Sequence, residues 1–248
     1  MNSQHQAVFP QSSENVRIWR FMDFTKFVWL LEHRSLYFAR SDLLGDPFEG
    51  SYSRANIEFR PQVYKEMFED IGKLDKTFRI FSEYYQLMRK WIFINCWHMN
   101  DHESAAMWKL YSQSNESISI QSTYKRLRDC LPDNVDIGTV RYIDYESDWL
   151  PEGNVFYPFF HKRRSFEHER ELRAVIADWP ISQEQIEIHR VQTERGKSVE
   201  VDLDILVEKL YVAPYSAIWF KELVERIASN YLDEKPVVQS SLSDSPVF

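Results

Sequence analysis

The chain has 248 residues, a net charge of −8 and 15% aromatic side chains. That length buries a full core without disulfide or metal staples, and the acidic balance excludes a broad basic face for capturing nucleic acid or an anionic membrane. With only six glycines, the chain has no Gly-rich phosphate loop of the P-loop or dinucleotide kind. Cys96 and Cys130 both lie in apolar contexts and read as reduced, buried thiols of a cytosolic protein. The first residues, "MNSQHQAVFPQSSENV", lack the basic and apolar regions of a signal peptide. No apolar run reaches membrane-spanning length, so a cytoplasmic location is expected.

In chain order, residues 1–15 are polar and weakly patterned, a flexible lead-in. A single domain is expected over 16–242, with 243–248 a tail. "VRIWRFMD" (Val16 to Asp23) alternates as a strand, and Phe24, Phe27, Val28, Leu30 and Leu31 form a helical face. "SLYFAR" is a short strand that leads to a turn at Gly45-Asp46-Pro47. Residues 52–90 carry helical periodicity with many charges and read as a helical insert, the piece most tolerant of deletion. "WIFINCWHM" (Trp91 to Met99) is a buried strand, "SAAMWKLYS" a helix and "SISIQS" an alternating strand. "TYKRLRDCL" is a helix capped by Thr123. "GTVRYIDY" is one strand, 146–158 a loop, and "ELRAVIADW" a strand. "EVDLDILVEKLYVAP" holds one more strand, "AIWFKELVERIASNYL" is an amphipathic helix, and "VVQSSL" is a final edge strand. Strands and helices interleave without a strict βαβ rhythm. That predicts an α+β fold with a mixed, largely antiparallel sheet flanked by helices.

Four motifs occur in order: "LLGDPFEG" (Leu43 to Gly50), "MWKLYS" (Met107 to Ser112) followed by "SISIQS", "VRYIDY", and "HKRRSFEHERELR" (His161 to Arg173). Together they make the chain resemble the bacterial domain-of-unknown-function family 2971 over about Ile18 to Leu242. Gly45 and Phe166 stand where that family carries Asn and Trp. The resemblance implies a fold and no settled activity.

Each motif has a structural and a functional reading. In "GDPFEG", Pro47 disfavours helix at Asp46, and Asp46 can close an Asx-turn. The loop is then either a plain turn or a rigid mount that aims Glu49 into a cleft. Ser104, Trp108 and Tyr111 share one helical face; they are either core or, through the indole N–H and phenol O–H, a pocket wall. His98 and His102 have zinc-like spacing, but the turn at Asn100-Asp101 breaks the helix such a site needs.

"FEHERELRAVI" (Phe166 to Ile176) packs Glu167, Glu169, Glu171 and Arg173 at alternate positions. As a helical turn, Glu169 would pair with Arg173 on a solvated face. As the start of a strand, the four share one side, and crowding raises the pKa of at least one carboxyl. On that reading Glu171, nearest the apolar run, is the reactive group and Arg173 restrains its neighbour. Lys162, Arg163 and Arg164 just upstream are placed to bind a phosphate-bearing ligand.

Three functions follow. The first is an enzyme acting on NAD or another nucleotide. The order of elements is loosely similar to the ADP-ribosyltransferase core, which implies Arg20 for phosphate and Glu169 and Glu171 as the catalytic carboxylates; the Ser-Thr-Ser strand motif of that class is not evident. The second is a non-catalytic sensor or binding module for a small molecule or a partner protein. The third is a metal-dependent phosphodiesterase using Asp46, Glu49, Glu169 and Glu171 around Mg²⁺ or Mn²⁺. Convergence of Arg20, Trp108, Lys162 and Glu171 on one cavity separates a ligand site from scattered structural roles.

Overall fold

The computed structural model describes residues 9–11, 13–67, 71–112, 114–178 and 193–248. Residues 1–8 and 12 of the expected lead-in, residues 68–70 of the insert and Trp179 lie outside the described residues. Eleven described strands and seven helices build an α+β fold whose sheet is mostly antiparallel.

The first strand, β1 (Arg17–Asp23), leads into α1 (Phe24–His33) and then β2 (Ser35–Arg40). Helices α2 (Arg54–Val63) and α3 (Ile71–Met88) form the insert. Then follow β3 (Ile92–Met99), α4 (Ala105–Tyr111), β4 (Ser117–Thr123) and α5 (Tyr124–Cys130). Thr123 caps α5 by accepting from the Arg126 amide, as its residue type predicts. Next come β5 (Asp136–Thr139), β6 (Arg141–Ile143), β7 (His161–Arg163), a 3-10 segment over Arg164–Glu169, and β8 (Glu171–Ala177). The chain closes with β9 (Gly196–Glu200), α6 (Leu203–Leu206), β10 (Lys209–Val212), α7 (Ile218–Ala228) and β11 (Val237–Gln239).

The main sheet runs β11-β10-β4-β1-β3-β2-β9, with β8 on the other edge of β3 and β5 beyond it. One face packs on α1, α5 and α7 through Phe27, Leu31, Leu127, Phe220 and Val224, all essentially inaccessible to solvent. The other face carries two smaller clusters. Trp19 and Phe21 of β1 pack with Met107 and Trp108 of α4, and Ile92, Ile94 and Val175 pack with Phe156, Phe159 and Phe160.

One detail of register creates the site. β3 pairs with β8 along its length, from Ile92↔Ala177 to His98↔Glu171. On its other edge it pairs with β1 only at Ile18↔Met99 and Trp19↔His98, and with β2 only at Ala39↔Ile94 and Arg40↔Phe93. β1 and β2, both antiparallel to β3, therefore splay apart and bare the middle of β3 around Cys96.

Several expectations change. "GTVRYIDY" is two strands: β5 joins the main sheet, whereas β6 pairs in parallel with β7 in a separate two-stranded sheet. The break falls where the Val140 amide donates to the Glu171 carbonyl, 2.9 Å away. Strands β7 and β9 and helix α6 carry too little periodicity in three to five residues to be read locally. The lead-in is anchored at Phe9, whose carbonyl accepts from the Thr139 amide at 2.8 Å and whose ring lies under the Arg141 guanidinium. The insert is also tied down. Asn56 and Arg60 are buried on α2, and both donate to Glu152 (2.8 and 2.7 Å), which also accepts from the Tyr64 hydroxyl.

Truncating one member of a buried pair leaves the other charged and unanswered. Arg60→Ala should destabilise the protein by about 3 kcal/mol. In urea melts it should lower the midpoint, and limited proteolysis should then cut first within residues 54–88. Wild-type stability in the variant would show that the insert does not depend on this network.

Candidate functional site

The gap between β1 and β2 opens into a cavity of about 840 Å³, within the range of small-molecule sites. α1 closes one side with Thr25, Lys26 and Trp29; β2 supplies Ser35 and Tyr37. Tyr111, at the end of α4, and Phe166, on the 3-10 segment, face it from the other side. Its floor is Cys96 with the neighbouring Ile94 and His98.

Arg20 lies in this gap. Its guanidinium donates to the Cys96 carbonyl at 2.7 Å, which satisfies the backbone group left bare where the two strands part. The cavity holds four cationic side chains, Arg20, Lys26, Lys162 and Arg173. Three are paired: Lys26 with Asp23, Lys162 with Glu169 and Glu171, and Arg173 with Glu49 and Glu171. Among the described residues, Arg20 alone of the four forms no ion pair.

Beside the floor, a buried charge network borders the cavity. Arg173, wholly inaccessible to solvent, donates through Nε to Glu171 at 2.6 Å. Its other nitrogens reach both oxygens of Glu49 and the Phe159 carbonyl (2.7 Å). The Asp46 loop aims Glu49 at this target. Asp46 accepts from the Phe48 amide at 3.0 Å, an Asx-turn, and Arg163 binds the same carboxylate at 2.6 Å. Gly50 ends the loop at φ +70, where an added Cβ would stand 2.3 Å from the Phe159 ring; only glycine suits both the conformation and the space. Lys162 then bridges the two glutamates, Glu169 and Glu171 (2.5 Å to the latter).

The alternation expected across Glu167, Glu169, Glu171 and Arg173 does not hold. Only Glu171 and Arg173 belong to β8. Glu169 ends the 3-10 segment, Arg170 turns the chain in the left-handed region at φ 43, and Glu167 is exposed. Glu169 reaches the site by this turn and not by a strand's period, and it does not pair with Arg173. The division of roles is reversed as well. Burial works to raise Glu171, but Arg173, the contact with Glu169 and Lys162 together hold it well below the usual carboxyl range. Glu169 is pushed up to about 7 by burial and by the adjoining Glu171, against the pull of Lys162. Glu171 is the fixed anion, and Glu169 is the carboxyl that titrates near neutrality.

Other expectations are corrected by position. Trp108 does not line the cavity. Its indole donates to Glu103 at 3.1 Å, and its ring packs edge-on against Phe21 at 5.0 Å, within the small core under α4. Ser104 is the cap of α4, not part of a pocket face. Lys162, Arg163 and Arg164 are not free for phosphate, since each answers a carboxylate: Glu169 and Glu171, Asp46, and Asp148. Asp46, Glu49, Glu169 and Glu171 each contact a cationic side chain, and among the described residues no group of three or more His, Cys, Asp or Glu side chains is arranged to hold a metal ion. His98 lies in β3 and His102 in the turn beyond it. The His98 Nδ1 meets the Glu169 carbonyl at 2.6 Å, and burial lowers its pKa, so the ring is neutral with the proton on Nδ1.

Sequence reading missed Trp29, Tyr37 and the floor at Cys96, because no local pattern reports that two strands will diverge. No helix among the described residues is long and apolar enough to cross a membrane. No family model, curated protein or solved structure matches the chain.

Glu171→Gln should destabilise by about 3–5 kcal/mol, because it removes the anion facing two buried cations. Trp108→Phe should cost about 1 kcal/mol for the lost indole hydrogen bond and leave the cavity unchanged. Denaturant melts of the two variants check the ranking; equal midpoints would contradict the network.

Proposed function

We propose that the cavity binds an anionic nucleotide, with NAD the candidate ligand, and that the protein acts on it at the ribose. The observation that carries this reading is Arg20, a cation with no carboxylate partner among the described residues, set in the gap of a cavity edged by Trp29, Tyr37 and Tyr111. Aromatic faces suit a base, and an unanswered guanidinium in a partly desolvated gap suits phosphate oxygens. Arg20 on an early strand and two glutamates late in the chain meet at one cavity. This agrees with the loose similarity to the ADP-ribosyltransferase core, an argument by fold analogy. The motif resemblance to family 2971 stands beside it as a proposal of kinship.

One observation favours the alternative of a non-catalytic binding module. Glu171, the residue that analogy would make catalytic, has both carboxylate oxygens engaged by Lys162 and Arg173. Turnover distinguishes the two readings.

Titration calorimetry with NAD, ADP-ribose and nicotinamide should give binding that depends on the phosphates, so the first two bind and nicotinamide alone does not. Arg20→Ala should weaken NAD about tenfold to a hundredfold, the worth of a charge-assisted contact, and lower the melting temperature modestly through the lost bond to the Cys96 carbonyl. Release of nicotinamide, followed by chromatography, would support the enzyme. Binding without release supports the sensor, and equal NAD affinity in Arg20→Ala would refute the phosphate role.

A further inference from the structure

The buried network ends in the cavity with its charges unbalanced. Glu49, Glu171 and Glu169 are three carboxylates, and only Arg173 and Lys162 answer them. Two cations against three anions in a desolvated setting leave one negative charge uncompensated, and a proton is the least costly remedy. Geometry decides where it goes. Burial raises Glu49 too, but its two oxygens take both terminal nitrogens of Arg173, which pull it back. Glu171 is held on one oxygen by Lys162 and on the other by Arg173. Glu169 has a single cation, Lys162, and of the three glutamates, all of which line the cavity, it is the least buried. It is the weakest-held anion.

We propose that Glu169 is the proton-binding site of this cavity, so that an anionic ligand binds together with one proton on Glu169 while Lys162 positions that carboxyl. The inference rests on the anionic-ligand reading of Arg20. The groups facing Glu169 are Lys162 from β7, Glu171 from β8, Tyr111 from α4, Tyr142 from β6, whose phenol burial also raises, and, at its backbone, His98 from β3. Arg20, Tyr111 and Glu169 line the same cavity, and the neutral Tyr111 phenol sets no charge between the other two. An anion brought to Arg20 is therefore repelled by ionised Glu169 and tolerated by the neutral acid. The sign follows: with the carboxyl pushed up to about 7, the ligand-ready neutral form prevails below that pH. Affinity for an anion then falls as pH rises through it. His98 is already neutral, and burial raises the Tyr111 phenol beyond this window, so neither supplies the effect.

The experiment has two parts. In the ligand-free protein, ¹³C-labelled glutamate carboxyls are followed by NMR from pH 5 to 9. One resonance should titrate near 7 and vanish in Glu169→Gln, a substitution that mimics the protonated acid in shape and charge. Calorimetry with NAD and with inorganic pyrophosphate, in two buffers of different ionisation enthalpy, then counts protons. Wild type should take up about half a proton per ligand at pH 7 and lose affinity about tenfold per pH unit above it. Glu169→Gln should take up none with NAD and bind it equally at pH 6.5 and 8.5; pyrophosphate titrates in this range itself, so its proton-linked binding is the uptake by wild type in excess of that by Glu169→Gln. Absence of a Glu169-dependent titration near neutrality overturns the proposal whatever binds. NAD binding without proton uptake also overturns it and leaves the nucleotide reading intact. Proton-linked pyrophosphate binding without NAD binding does the reverse, and binding of neither probe overturns both.

Discussion

Arg173 is a guanidinium with no access to water, and the architecture of the site is organised by the need to answer it. Burying such a charge costs several kcal/mol unless its hydrogen bonds are met in good geometry. Here they are met from three separate stretches of chain: Glu171 from the same strand, Glu49 from the loop after β2, and the Phe159 carbonyl from the segment before β7. The Asx-turn at Asp46 and the bare backbone of Gly50 against Phe159 let the Glu49 loop approach this closely. A protein that gave up any one of these partners would hold an unpaired charge inside its core.

The same network explains why so acidic a stretch is tolerated in the interior. Lys162 and Arg173 thread between carboxylates, so most of the charge is neutralised locally and little field escapes. The surplus negative charge falls on the least firmly held member, Glu169, which has one cation and is pushed up to about 7. A structural ion cluster and a cavity-lining carboxyl with a raised pKa thus have a common origin in the same set of contacts.

The cavity has a different cause. Antiparallel pairing needs continuous register, and β3 is paired on its β8 edge throughout but on its other edge only near its two ends. The uncovered middle is a polar backbone edge, and Arg20 meets it with a side-chain donor at Cys96. Because that donor is a cation rather than a neutral group, the gap acquires positive charge, whereas the cavity's remaining cations are matched to carboxylates.

Much of this was legible in the chain itself. Alternation marked β1 and β4, and apolar runs marked β3 and β8. The 3.6-residue period marked α1 and α7, and Thr123 and the Asp-Pro turn marked their own local geometry. These are short-range consequences of residue type. The crowd of charges before β8 also signalled a site, and Arg20, Asp46, Glu49, Tyr111, Lys162, Glu169, Glu171 and Arg173 do meet at one cavity. Their partners were not legible. Arg173 finds Glu49, 124 positions away. Trp108 turns inward to Phe21 and Glu103, and Glu169 enters by a left-handed turn rather than a strand's period. Residue type determines what a side chain can do and the local period determines which way it tends to face. Which charge it meets, and therefore which glutamate keeps its proton, depends on distances across the fold that only the packed sheet sets.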